Sequence, residues 1–156
     1  MNPPGPSFKG KVILMAEDDA DDRLLARDAL AECGLDEDLR FVENGEELLD
    51  YLLQRGKYDA QTPRPGLILL DLNMPVKDGR EVLEEIKTNA SLRRIPVVVL
   101  TTSRADTDID RIYHLGANSF ITKPVRYDSL VQVMRAISQY WLNIVELPAT
   151  TSLPHA

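Results

Sequence analysis

Five acids crowd into six positions at Glu17, Asp18, Asp19, Asp21 and Asp22, directly after the run Lys11 to Ala16, KVILMA. A second apolar run, Leu67 to Leu70, leads straight into Asp71. A third, Val97 to Leu100, ends at Thr101, and the short stretch Asn118 to Thr122 ends at Lys123 and Pro124. Uninterrupted apolar runs of this length suit strands buried on both faces of a parallel sheet. If the strands are parallel, their carboxyl ends share one rim, and that rim collects Glu17, Asp18, Asp71, Thr101 and Lys123. Three carboxylates held so close repel one another, and Lys123 offers only one positive charge against them. A divalent cation meets the need. The ligands are all hard oxygens with no Cys or His among them, which favours Mg²⁺ or Mn²⁺ over zinc. Mg²⁺ keeps several waters and takes one or two carboxylates plus a phosphate, so a cation, a lysine and a hydroxyl around one Asp suit phosphoryl transfer. Asp71 would then be the nucleophile, forming an acyl phosphate.

The elements that must position these groups alternate in type. After the Lys11 to Ala16 strand, Ala26, Ala29, Leu30 and Cys33 make the inner stripe of a helix that Gly34 can stop. Leu39 to Val42 reads as an edge strand. Asn44 can cap a second helix, with Glu47 three residues on, Leu48, Leu49, Leu52 and Leu53 on its buried side and an end by Gly56. Arg55 to Gly66, with Pro63 and Pro65, is a long connection. Asp78 is a natural cap for a helix from Gly79 to Thr88, with Val82, Leu83 and Ile86 facing inward. Ile109, Ile112 and Tyr113 line a shorter helix that Gly116 can end, and Leu130, Val133, Met134, Ile137 and Trp141 line the last. Five strand-helix alternations predict an α/β, flavodoxin-like doubly wound fold: a five-stranded parallel sheet in the order 2-1-3-4-5, with five helices on its two faces.

Length and charge narrow the classes. The chain has 156 residues, enough for one domain, and we expect a tail at 1–9, a folded unit at 10–148 and a second tail at 149–156. Eighteen Lys and Arg stand against 25 Asp and Glu, and no basic stripe extends beyond Arg93 and Arg94, so direct nucleic-acid binding is not expected. A single cysteine, no signal sequence and no membrane-length apolar run point to a cytoplasmic protein. Plainer readings apply to some of the same residues: Cys33 as a small hydrophobe, and Asp19, Asp21 and Asp22 as acids favoured at a helix N-terminus.

Taken together, the acidic pair Glu17-Asp18, the stretch LLDLNMPVKDG around Asp71, Thr101 after the fourth strand and Lys123-Pro124 after the fifth resemble the receiver domains of two-component response regulators, over Lys11 to Leu142. The resemblance implies that Asp71 is the phosphoacceptor, loaded from the phosphohistidine of a sensor kinase. It implies that Asp18 binds the metal directly, Glu17 mainly through water and Asn73 through its backbone carbonyl, while Thr101 and Lys123 bind phosphoryl oxygens. It also implies a cis Lys123–Pro124 bond and a switch role for Phe120. Glu17 stands where Asp is often found, which lengthens the reach by one methylene, and Thr102 follows Thr101. The 55–66 connection and the C-terminal YWLNIVELP are similar to those of stand-alone receivers paired with phytochrome histidine kinases, which implies a light-signalling partner and a homodimer.

Such a protein is a switch and not a turnover enzyme, beyond self-phosphorylation with Mg²⁺ and slow loss of the phosphoryl group. Phosphorylation would draw Thr101 inward and let Phe120 turn into the space left. No output domain is expected after 148, so the output would be a changed binding surface, with Tyr140, Trp141, Ile144, Val145 and Leu147 as a partner or dimer patch. Two other readings remain open. An aspartyl-nucleophile phosphatase would want an acid two residues after Asp71, where Asn73 stands; a receiver-shaped interaction module would take no phosphate. A nucleotide or flavin site would want a Gly-rich or Ser/Thr-rich loop where this chain has its acids.

Overall fold

The computed structural model describes residues 12–35, 38–101, 106–124, 126–137 and 139–140. Thr102, Trp141, Ile144, Val145, Leu147 and both expected tails lie outside the described residues. The elements alternate as β1 (Val12–Ala16), α1 (Ala20–Ala31), β2 (Leu39–Val42), α2 (Gly45–Leu53), β3 (Pro65–Leu70), α3 (Gly79–Thr88), β4 (Val97–Thr101), α4 (Asp106–His114), β5 (Ser119–Thr122) and α5 (Tyr127–Ile137). All pairings are parallel, in the order β2-β1-β3-β4-β5. The predicted flavodoxin-like fold is the observed one.

The side-chain alternation of a strand explains why the central runs are apolar throughout. Leu14, Ala16, Ile68, Leu70, Val97 and Val99 point into one core with Leu48, Leu49, Val82, Leu83, Ile86 and Ile112 of α2, α3 and α4. Ile13, Met15, Leu67, Leu69, Val98 and Leu100 point the other way, against Ala26, Ala29 and Leu30 of α1 and Leu130 and Met134 of α5. Each fully buried aliphatic side chain of this kind contributes about 1.5–3 kcal/mol. A one-residue slip of β3 would exchange its two faces and disturb both cores at once, so the register that sets Asp71 beside β1 is firmly specified.

Caps fix where the helices begin. Asp19 Oδ1 accepts from the amides of Asp21 at 2.8 Å and Asp22 at 3.1 Å. Asn44 Oδ1 accepts from Glu47 N, and Asp78 with Glu81 forms a reciprocal capping box. Gly34, at φ +74°, follows α1 in the left-handed conformation that glycine adopts without steric cost.

Some local expectations fail for physical reasons. Leu53 is 38% exposed, because α2 ends there and the chain turns through a left-handed Gln54. Cys33 lies past the last turn of α1, half-buried, its thiol donating to Ala29 O at 3.6 Å. Tyr113 is exposed, its hydroxyl oxygen accepting from Phe120 N at 3.1 Å. Strand β3 begins at Pro65, since proline is tolerated at a strand's first residue. The connection before it is held by its own side chains: Tyr51 OH donates to Pro63 O at 2.8 Å, and Tyr58 OH to Glu47 Oε2 at 2.6 Å. Among the described residues no helix is long and apolar enough to cross a membrane.

Candidate metal and phosphoryl site

The sheet continues its hydrogen bonding just past the strands, which delivers the acids to one place. Glu17 N donates to Val42 O at 3.0 Å, and Asp71 N to Ala16 O at 3.1 Å. Arg23 Nη1 braces the same turn by donating to Glu17 O at 2.9 Å. Asp71 and Glu17 therefore emerge side by side from adjacent strands. One carboxylate oxygen from each of Glu17, Asp18 and Asp71 lies within 4.8 Å of the others. Glu17 and Asp71 are buried, and Asp18 faces outward.

From the far side of the sheet, Lys123 N donates to Thr101 O at 2.8 Å, fixing β5's exit beside that of β4. The lysine ammonium reaches back over the rim to Glu17 Oε1 at 2.5 Å, Asp22 Oδ2 at 3.1 Å and Asp71 Oδ2 at 3.4 Å. Thr101 is fully buried, and its Oγ1 accepts from Asn73 Nδ2 at 3.2 Å. Asn73 N in turn donates to Asp71 Oδ1 at 3.0 Å, so the two oxygens of Asp71 have different partners. Phe120 is half-buried against the α2, α3 and α4 core. The expected cis Lys123–Pro124 bond is corrected: it is trans, as are all peptide bonds among the described residues. The ordinary preference of an X–Pro bond is for trans, and the ammonium reaches the carboxylates without the isomer change.

Electrostatics follow from burial. Glu17 is 1% exposed, and loss of water pushes its carboxyl up to about 7, against the hydrogen bond from Lys123 and with the Asp71 charge adding to the rise. Burial alone would lower the pKa of Lys123. Its hydrogen bond to Glu17 and the charges of Asp71 and Glu17 outweigh that and hold it above the ordinary lysine value. The pocket therefore holds more negative charge than its one lysine offsets. Its oxygen donors suit a hard divalent cation, which would favour ionised Glu17.

Of the residues predicted from sequence, Phe120 packs against the α2, α3 and α4 core, while the structure brings Glu17, Asp18, Asp71, Asn73, Thr101 and Lys123 together at the rim. Asp22 joins them unpredicted. Its dipole role at the start of α1 is compatible with the ion pair, and its place was legible: Asp22, Ala26 and Leu30 stand four apart, so the acid lies at the rim end of the helix's buried stripe.

Residues 13–135 match the family described as response regulator receiver domain. Response regulator Rcp1 of Synechocystis sp. is 45% identical over 148 residues, covering 95% of this chain and 96% of its own length. The phosphorylated cyanobacterial phytochrome response regulator RcpA superposes with a TM-score of 0.84 at 45% identity, over 89% of this chain and 99% of that one. The Mn²⁺-bound form of Rcp1 gives 0.83, with the same identity and coverage.

Proposed function

The chain belongs to the response regulator receiver domain family, and from that premise we propose that Asp71 accepts a phosphoryl group from the phosphohistidine of a sensor kinase. The observation that carries this is the placing of three carboxylates within 4.8 Å under a single lysine. Asp18 would hold the cation directly, Glu17 mainly through water, and Asn73 through its backbone carbonyl. The cation, Mg²⁺ in our reading, would neutralise the acids and the incoming phosphoryl oxygens.

In the transfer, an oxygen of Asp71 forms a bond to phosphorus as the bond from phosphorus to the histidine nitrogen breaks, and the imidazole leaves with that electron pair. Lys123 donates to one phosphoryl oxygen through its ammonium. The Thr101 hydroxyl donates to another. Movement of Thr101 opens space beside β5 for Phe120, and the surface of α4, β5 and α5 changes. An aspartyl phosphatase is disfavoured by Asn73, whose amide is far too weak an acid to protonate a leaving group.

We assign the partner as a phytochrome-type kinase on the strength of 45% identity to Rcp1 and RcpA across nearly the whole chain. A cytoplasmic location, a receiver unit over 10–148 and a homodimer whose patch includes exposed Tyr140, beyond the end of α5, complete the reading. Incubation with Mg²⁺ and a small acyl phosphate, followed by intact mass measurement, tests it. The wild type gains a phosphoryl group and Asp71→Asn does not. Equal labelling of the variant would remove the assignment, and no labelling of the wild type would favour an interaction module.

A further inference from the structure

Three carboxylates accept from Lys123, and only two of them belong to the trio that fits a cation. Glu17 and Asp71 serve both the lysine and the candidate metal position; Asp22 serves the lysine alone. It comes from the first turn of α1, whose N-terminus is fixed by the Asp19 cap and whose inner face packs through Ala26, Ala29 and Leu30. We propose that Asp22 is a positioning residue for Lys123: it anchors the ammonium at the edge of the pocket when the other two carboxylates turn to the cation and the phosphoryl group. The inference rests on the phosphoryl-transfer reading given above.

The geometry supports an anchor over a competitor. An ammonium has three donors, and each has a carboxylate partner. Once Glu17 and Asp71 share their charge with a cation, the lysine is drawn to them less, and a four-carbon stem with no fixed partner loses its position. Asp22 prevents this. Its side chain is 40% exposed, so water screens its repulsion of a phosphoryl group on Asp71 more than it weakens a direct hydrogen bond at 3.1 Å. Its hold is correspondingly modest, at the upper end of the exposed-ion-pair scale because the lysine side chain is only 11% exposed, which is about threefold to fivefold in a rate.

Two readouts test the anchor, one of them independent of phosphorylation. The first is the rate of phosphorylation at saturating small acyl phosphate and Mg²⁺. Asp22→Ala slows it about threefold to fivefold, Asp22→Glu restores most of the rate, and Asp22→Ala made in a Lys123→Ala background adds nothing, since the residue acts through the lysine. The second, without donor or metal, is the rate at which an amine-directed acylating reagent modifies Lys123, followed by peptide mass spectrometry. The lysine side chain is 11% exposed while held, and Asp22→Ala releases it to react faster. An unchanged transfer rate in Asp22→Ala, or a loss of the same size with and without Lys123, would overturn the proposal. If the wild type takes no phosphoryl group, the functional reading fails by itself; an unchanged lysine reactivity would then overturn the anchor as well.

Discussion

Asn73 Nδ2 donates to Thr101 Oγ1 at 3.2 Å, joining the turn that follows the candidate phosphoacceptor to a hydroxyl buried at the end of β4. The contact occupies a lone pair of the hydroxyl and not its proton, so Thr101 can accept from Asn73 and donate to a phosphoryl group at once. Replacing Thr101 with Val keeps the shape and removes the hydroxyl, leaving the Asn73 amide without this acceptor. A loss of about 1 kcal/mol in stability is expected. Asp71 should still be labelled, but the amide resonance of Phe120 should no longer shift on phosphorylation in NMR spectra. A full wild-type shift would show that Thr101 does not link the two.

Gly79 has no room for a side chain. A Cβ there would meet Leu72 Cα at 2.7 Å and Asp71 O at 2.8 Å, both backbone atoms of the site. Gly79→Ala must therefore push α3 away from the Asp71 turn, at a cost of about 1–3 kcal/mol. Urea denaturation should report that loss, and Mn²⁺ titration a weaker affinity. Unchanged values in both would mean that the turn yields freely.

Val76 is a β-branched residue at φ +69° and is 79% exposed, the centre of a three-residue turn in which Lys77 N donates to Pro75 O at 2.7 Å. That conformation costs about 1–3 kcal/mol. Glycine removes the strain and adds about 0.5–1 kcal/mol of unfolded-chain entropy. The strain is the larger, so Val76→Gly should stabilise the protein by about 1 kcal/mol, seen as a higher urea midpoint.

Glu47 gives the pH dependence. Burial would raise its carboxyl, but the hydrogen bonds from Tyr58 and Lys57 outweigh burial and hold it below its ordinary value of 4.5. A depressed carboxyl binds fewer protons folded than unfolded, so its contribution is present above pH 4.5 and is lost as pH falls through the folded value. Glu47→Gln should flatten the stability curve on the acid side of pH 4.5 and leave its slope near pH 7 unchanged. An unaltered acid slope would contradict the assignment.

Much of the fold could be read in advance because buried strands and capped helices leave strong local marks. The apolar run before Asp71 and the Asp78 cap gave β3's exit and the limits of α3, and alternation gave the sheet order. The site followed from strand ends sharing a rim. What escaped was what depends on the reach of long side chains and on turn geometry. Nothing local says that Lys123 spans to α1; the spacing of Asp22, Ala26 and Leu30 places only the acid at the rim end of the helix. Gln54 and Val76 adopt left-handed conformations that their residue types do not announce. Pro65 and Gly66 read as breakers because only the pairing of Val12 with Pro65 shows that the strand begins there.

The central claim is that oxygens from Glu17, Asp18 and Asp71 hold a divalent cation that lets Asp71 carry phosphate. Peptide mass spectrometry after reaction with a small acyl phosphate, with Mg²⁺ present or removed by a chelator, tests it most directly. The account predicts a phosphoryl group on the peptide containing Asp71, formed with Mg²⁺ and abolished by chelation. A group located on another residue, or formed equally well in the chelator, would contradict it.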